Sequence, residues 1–210
     1  MSIKNEEKIL ELLKSFHREK SDIWYYGNSV LYRMCEEKPL HNDKNIVASK
    51  VWLIGRSYAA AIERTKSGEK LEIIIDKFWD VLNSESESID KTLRAINSIT
   101  IEEIGNNVQT ILDAHKQVMD IMQKATTMDK RSLTSKYLHF HCPNAFFIYD
   151  SRARRTINKL VKKQDIRGYT GDAEYVEFFL RVLKLQQFIK EQTGKMLTPR
   201  EIDNFLVFNN

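Results

Sequence analysis

Glycine, proline and cysteine are scarce in this chain of 210 residues, which holds seven, three and two of them. Cys35 and Cys142 are too few for a disulfide framework, and neither sits in a Cys-x-x-Cys spacing. A disulfide-stapled scaffold is therefore excluded, and a reducing compartment is expected. So little glycine and proline, with no low-complexity tract, argues against a disordered chain. Long hydrophobic runs are missing too: none approaches the length of a membrane span. The opening MSIKNEEKILELLKSF alternates charge with apolar residues, where a secretory signal needs an unbroken apolar core. The expectation is a cytoplasmic protein.

What is present suits a folded chain. Hydrophobic residues make up 42% and charged residues 30%, over a length sufficient to bury a continuous core as one domain or two small helical lobes. The net charge of +4 is small, but it is local: Asp129 to Arg167 holds ten Lys or Arg against three Asp. Such a run fits either a solvated helix face or a phosphate-binding surface.

Helical periodicity dominates, and the fold class expected is all-α. Ile9, Leu12, Leu13 and Phe16 share one face, and Ile23, Tyr26, Val30 and Met34 mark a second helix that Pro39 ends. Asp43 is placed to cap a long third helix through Thr65, stopped at Ser67-Gly68. A fourth follows in EKLEIIIDKFWDVLN, and the polar SESES at 84–88 reads as a linker before a fifth helix over 89–96. Thr100 and Glu103 form a capping box for a long sixth helix reaching Ala125. Towards the end, Arg152 to Val161, Ala173 to Glu191 and TPREIDNFLVF read as helices, with Thr198 as N-cap and Pro199 at N1. Asp172 and Asp203 read as helix-start residues.

Between them lies SLTSKYLHFHCPNAFFIYDSRARR, residues 132–155. Pro143 disfavours helical geometry at Cys142 and Asn144 suits a turn, so two short helices flank a hairpin-like connection. Lys136 lies on the first, and Asp150 stands at the N-terminus of the second, where Asp is also a good cap. His139, His141 and Cys142 do not make a metal site, since positions i and i+2 of a helix point apart and no second ligand group completes one. His17, His41 and His115 have no partner visible in the sequence. No arginine precedes a histidine at the four-to-six-residue spacing of a helical endoribonuclease.

TSK followed by YLHFHCPNAFFIYDSRA resembles the helix-hairpin-helix DNA glycosylases, in particular their bifunctional 8-oxoguanine branch. There a catalytic lysine begins the second helix of the hairpin and leads through an apolar run and a proline to an aspartate capping the next helix. The resemblance covers about 25 residues, and segment 126–155 would be the hairpin and active-site element. Two features differ: TTMDKRSLTSK contains no hairpin glycine, and the interval from Lys136 to Asp150 is short, as in trimmed members found beside bacterial anti-phage defence genes. The resemblance implies a base-excision enzyme acting on nucleic acid, DNA first, with no cofactor and no metal. Lys136 would be the nucleophile and Asp150 the carboxylate that stabilises an oxocarbenium-like sugar.

The chemistry is consistent with these residue types. A lysine that attacks C1′ must be a neutral amine, which burial among Leu133, Tyr137, Leu138 and Phe140 or nearby cations would favour. Lys130, Arg131, Ser135, Arg152, Arg154 and Arg155 are the phosphate-binding candidates. For a base taken out of its stack, the candidates are Trp24, Tyr26, Trp52, Arg56 and His139. The same aromatics fit a core equally well, with Arg56 as a salt-bridge partner. A non-catalytic helical module binding nucleic acid or protein through 130–167 is the alternative reading.

Overall fold

Short side chains that accept backbone N–H bonds start most of the helices. Asn5 caps α1 (Glu6–Ser15), Asp43 caps α3 (Lys44–Ser57), Asp150 caps α7 (Ser151–Leu160), Asp172 caps α8 (Ala173–Thr193) and Thr198 caps α9 (Pro199–Phe208), which has Pro199 in its first turn. The remaining helices are α2 (Ile23–Glu37), α4 (Leu71–Asn97), α5 (Val108–Thr126) and α6 (Arg131–His141), with a 3-10 turn at Ile101–Asn106. This computed structural model describes residues 3–16, 23–66 and 68–210. Among them the one extended pairing is an isolated bridge between Ile3 and Val161, so the fold is all-α. No helix among the described residues is long and apolar enough to cross a membrane. His17 and Ser67 lie outside the described residues.

Three element boundaries differ from the sequence expectation, each for a local reason. The 84–88 segment is not a linker, because α4 runs through it from Leu71 to Asn97. Ile74, Phe78, Leu82, Ile89, Leu93 and Ile96 keep one buried stripe across the polar stretch, and Ser84 and Ser86 bond back to Val81 and Asn83. Helix α3 stops at Ser57 rather than Thr65. Ala59 takes a left-handed φ of 51°, and Ala60 N–H bonds Gly55 O at 2.7 Å, a C-terminal cap built without the usual glycine. Gly55 is needed for another purpose, since a Cβ there would lie 3.2 Å from Ala61 Cα. The Thr100–Glu103 box starts the 3-10 turn, and α5 begins only at Val108.

Helix α6 is the centre of the molecule. It packs against α2, α3 and α5, while α7 packs on α8 and α9. Every residue from Leu133 to Phe140 is buried, including Thr134, Ser135, Lys136 and His139. A helix buried on all sides is normally apolar all round, so these polar side chains must find partners inside the protein. Their partners build the candidate site.

Candidate active site

The segment after α6 at 146–149 is buried and belongs to no helix or strand, so its backbone groups need hydrogen bonds from elsewhere. Side chains of α6 provide them. His139 Nδ1 lies 2.8 Å from Phe146 O, Tyr149 N–H donates to Ser135 Oγ at 3.0 Å, and Lys136 Nζ donates to Tyr149 O at 3.4 Å. This ladder holds the backbone just before Asp150 against the lysine, although 14 positions separate Lys136 and Asp150 in sequence. Asp150 is partly buried and accepts from Arg152 N and Ala153 N, both at 2.8 Å.

Lys136 is 1% exposed. Its Nζ donates to Ser132 Oγ at 2.6 Å and lies 5.9 Å from the centre of the Tyr58 ring. Burial lowers its pKa below the ordinary lysine value; Asp150 and Asp203 oppose that shift, and Arg200 and Arg152 add to it. Burial alone does not single this residue out. Lys50 and Lys130 are buried as well, but they spend their ammonium groups on main-chain carbonyls, of Lys38 and of Ala61 and Arg64 respectively. Lys136 also meets a carbonyl, that of Tyr149, and differs in donating to the Ser132 hydroxyl and lying over the Tyr58 ring.

The sequence reading missed the far wall of the site, which comes from α9, α2 and the end of α3. Arg200 lies over the rings of Tyr32, Tyr58 and Phe140 at 5.7, 5.6 and 5.4 Å. Its Nε donates to Tyr32 Oη at 2.9 Å, and Nη1 reaches Asp203 Oδ2 at 3.3 Å. Asp203 is not a helix-start residue. It sits in the second turn of α9, 7% exposed, and burial pushes its carboxyl up to about 6 against the pull of Arg200. Only one signal could have found it: positions 199, 202, 203 and 206 share a helical face that is otherwise apolar.

His139 is locked as a neutral ring. Phe146 O can only accept, so Nδ1 carries the proton; Nε2 then accepts from Tyr32 O–H at 2.6 Å. Burial and Arg200 both lower its pKa well below the usual histidine value. His41 and His115 have partners that the sequence concealed. His41 Nδ1 meets Asp90 and its ring stacks on His141 at 5.0 Å, while His115 stacks on Tyr175 at 3.6 Å. Among the described residues no group of three or more His, Cys, Asp or Glu is arranged to hold a metal ion.

Several phosphate-binding candidates are engaged inside the protein. Arg131 pairs with Asp172 and Glu174, Lys130 caps the carbonyls named above, and Ser135 bridges Ser132 O and Tyr149 N. Arg152, Arg154 and Arg155 are exposed along α7, where Arg154 meets Tyr149 Oη and Glu174, and Arg155 meets Asn210. The aromatic candidates are not core: Trp24 is 59% and Tyr26 70% exposed, and Trp52 is exposed too. A residue near a helix start can be turned outward whatever its hydrophobicity, because only one face of α2 meets its neighbours. Arg56 is an exposed partner of Glu63. The Trp24 ring lies 6.4 Å from that of Tyr58. Two cavities lie elsewhere, around Pro39 and Leu40; one of about 240 Å³ is bordered by Asp90, Arg94 and His141. Compared with protein-family models, curated proteins and solved structures, the chain matches none.

Proposed function

We propose that the chain is a lysine-dependent base-excision glycosylase with lyase activity, acting on an oxidised purine or another modified base in nucleic acid, with DNA the first candidate. One observation carries the reading: a buried amine, Lys136, held against the backbone immediately before a helix-capping carboxylate, Asp150. Burial favours the neutral amine that attack on C1′ requires. A carboxylate alongside suits the positive charge that develops on the sugar as the base departs. Attack at C1′ and loss of the base give an imine, from which β-elimination nicks the strand. Arg152, Arg154 and Arg155 on the outer face of α7 would meet the phosphates. The amine is closed off by Tyr58 and its neighbours, so the reading requires this aromatic wall to part when substrate enters.

Borohydride trapping tests this. Wild-type protein mixed with oligonucleotides bearing oxidised purines or abasic sites should form a covalent adduct, and Lys136→Gln should form none at unchanged helicity. Asp150→Asn keeps a competent N-cap and should slow base release with little effect on binding. Absence of adduct across DNA, RNA and nucleoside substrates, or adduct formation without Lys136, refutes the proposal. The exposed arginines of α7 favour a second reading, a non-catalytic nucleic-acid- or protein-binding module. Binding that survives Lys136→Gln, with no turnover by wild type, would establish it.

A further inference from the structure

A buried amine can act as a nucleophile only if its ammonium proton has a way out, and Lys136 is 1% exposed. Its nitrogen has two hydrogen-bond partners among the described residues, Ser132 Oγ at 2.6 Å and Tyr149 O at 3.4 Å. The two are not equivalent. A main-chain carbonyl only accepts, so a proton cannot travel onward through Tyr149 O, whereas a hydroxyl accepts on its lone pairs and donates its own hydrogen elsewhere. Ser132 lies one turn before Lys136 on α6, which puts both side chains on one face. It is partly exposed, while every residue from Leu133 to Phe140 is buried. The serine therefore stands between the amine and the surface. The nearby acids are committed elsewhere: Asp150 accepts from Arg152 and Ala153 N–H, and Asp203 pairs with Arg200. Lys50 is equally buried and supplies the contrast, since its ammonium meets the Lys38 carbonyl and no hydroxyl among the described residues.

We infer that Ser132 is the positioning residue of Lys136, its hydroxyl aiming the amine and passing the ammonium proton out to solvent. The use made of the neutral amine rests on the glycosylase reading, whereas the route itself does not. In the transfer the Nζ–H bond breaks with its electron pair left on nitrogen, and an Oγ–H bond forms. The serine's original hydrogen passes to a water molecule or buffer base in solution. The hydroxyl is regenerated, and one positive charge has left the interior. Burial drives the proton outward, because it disfavours the charged form of the lysine; Asp150 and Asp203 oppose the loss, and Arg200 and Arg152 assist it. These charged groups face the amine from α7 and α9, and Tyr58 faces it from the end of α3.

The test is solvent exchange of the lysine Nζ protons, read by NMR on the full chain labelled with nitrogen-15 at lysine. In wild type, the Lys136 protons should exchange about tenfold faster than those of Lys50, or more, because a positioned hydroxyl passes protons and a carbonyl does not. Ser132→Ala should slow exchange at Lys136 by a similar factor and leave Lys50 unchanged. Ser132→Thr, which restores the hydroxyl, should bring the rate back. Exchange at Lys136 no faster than at Lys50 in wild type overturns the inference, and this measurement stands even if a variant fails to fold. So does a wild-type rate in Ser132→Ala. A loss that Ser132→Thr does not restore also overturns it, because the serine would then only fill space. Borohydride trapping separates the two proposals. Exchange as expected with no adduct from wild type keeps the route and removes the glycosylase. Adduct from wild type, with exchange unchanged in Ser132→Ala, keeps the glycosylase and removes the route.

Discussion

Replacing Asp203 by Asn should stabilise the protein above neutral pH and leave it unchanged in acid. The carboxyl has a pKa of about 6 when folded against 3.8 for the free side chain, so the native state binds this proton more tightly than the unfolded chain does. Between these two values the folded state holds more protons, and stability falls as pH rises. Below the lower value the acid is neutral in both states and imposes no penalty. Above the upper value the full cost of ionising it inside the protein is present. A shift of about two pH units corresponds to roughly 3 kcal/mol. Asn keeps the shape of the neutral acid and never ionises. Urea denaturation at a mildly alkaline pH should show the variant more stable by up to about that amount, with the difference shrinking to near zero as the pH falls to about 4. A variant that is less stable than wild type at alkaline pH, or a difference independent of pH, would refute the reasoning, because Asp203 would then be a satisfied ion-pair partner of Arg200.

Other consequences can be checked the same way. Ser86→Pro should cost about 3 kcal/mol in chemical denaturation, because it interrupts a continuous α4; a true linker would tolerate it. Thr127 closes α5 with a left-handed φ of 56°, so Thr127→Gly should raise stability by about 1 kcal/mol in thermal or urea melts. Arg131→Ala leaves Asp172 without its two-pronged partner at the start of α8, at a cost of roughly 3 kcal/mol at neutral pH. Arg131 holds the Asp172 carboxyl below its usual value in spite of burial, so the difference between wild type and variant should fade as pH drops through the carboxylate range.

The helix periodicity and the caps were legible in the sequence, because each depends on residues within one or two turns. Asp43, Asp150, Asp172 and Thr198 cap the helices that the pattern assigns to them. The all-α class followed from the same local rules. The turn at Pro143 that ends α6 was legible too, whereas the bonds of Ser135, Lys136 and His139 to the backbone of 146–149 were not.

Tertiary structure decided what local rules leave open. The serines at 84–88 are polar enough for a loop, yet the buried stripe on either side packs against α5 and carries the helix through. Ala59 and Thr127 adopt left-handed turns without glycine, so no residue marked those ends. Which aromatics are covered depended on which face of α2 met α6, and this turned Trp24 and Tyr26 outward while bringing Tyr32 against His139. Arg200 and Asp203 lie more than sixty residues from Lys136 along the chain. Their position beside it depends on how α9 docks, and hydrophobic packing between distant helices fixes that docking without leaving any motif in the sequence.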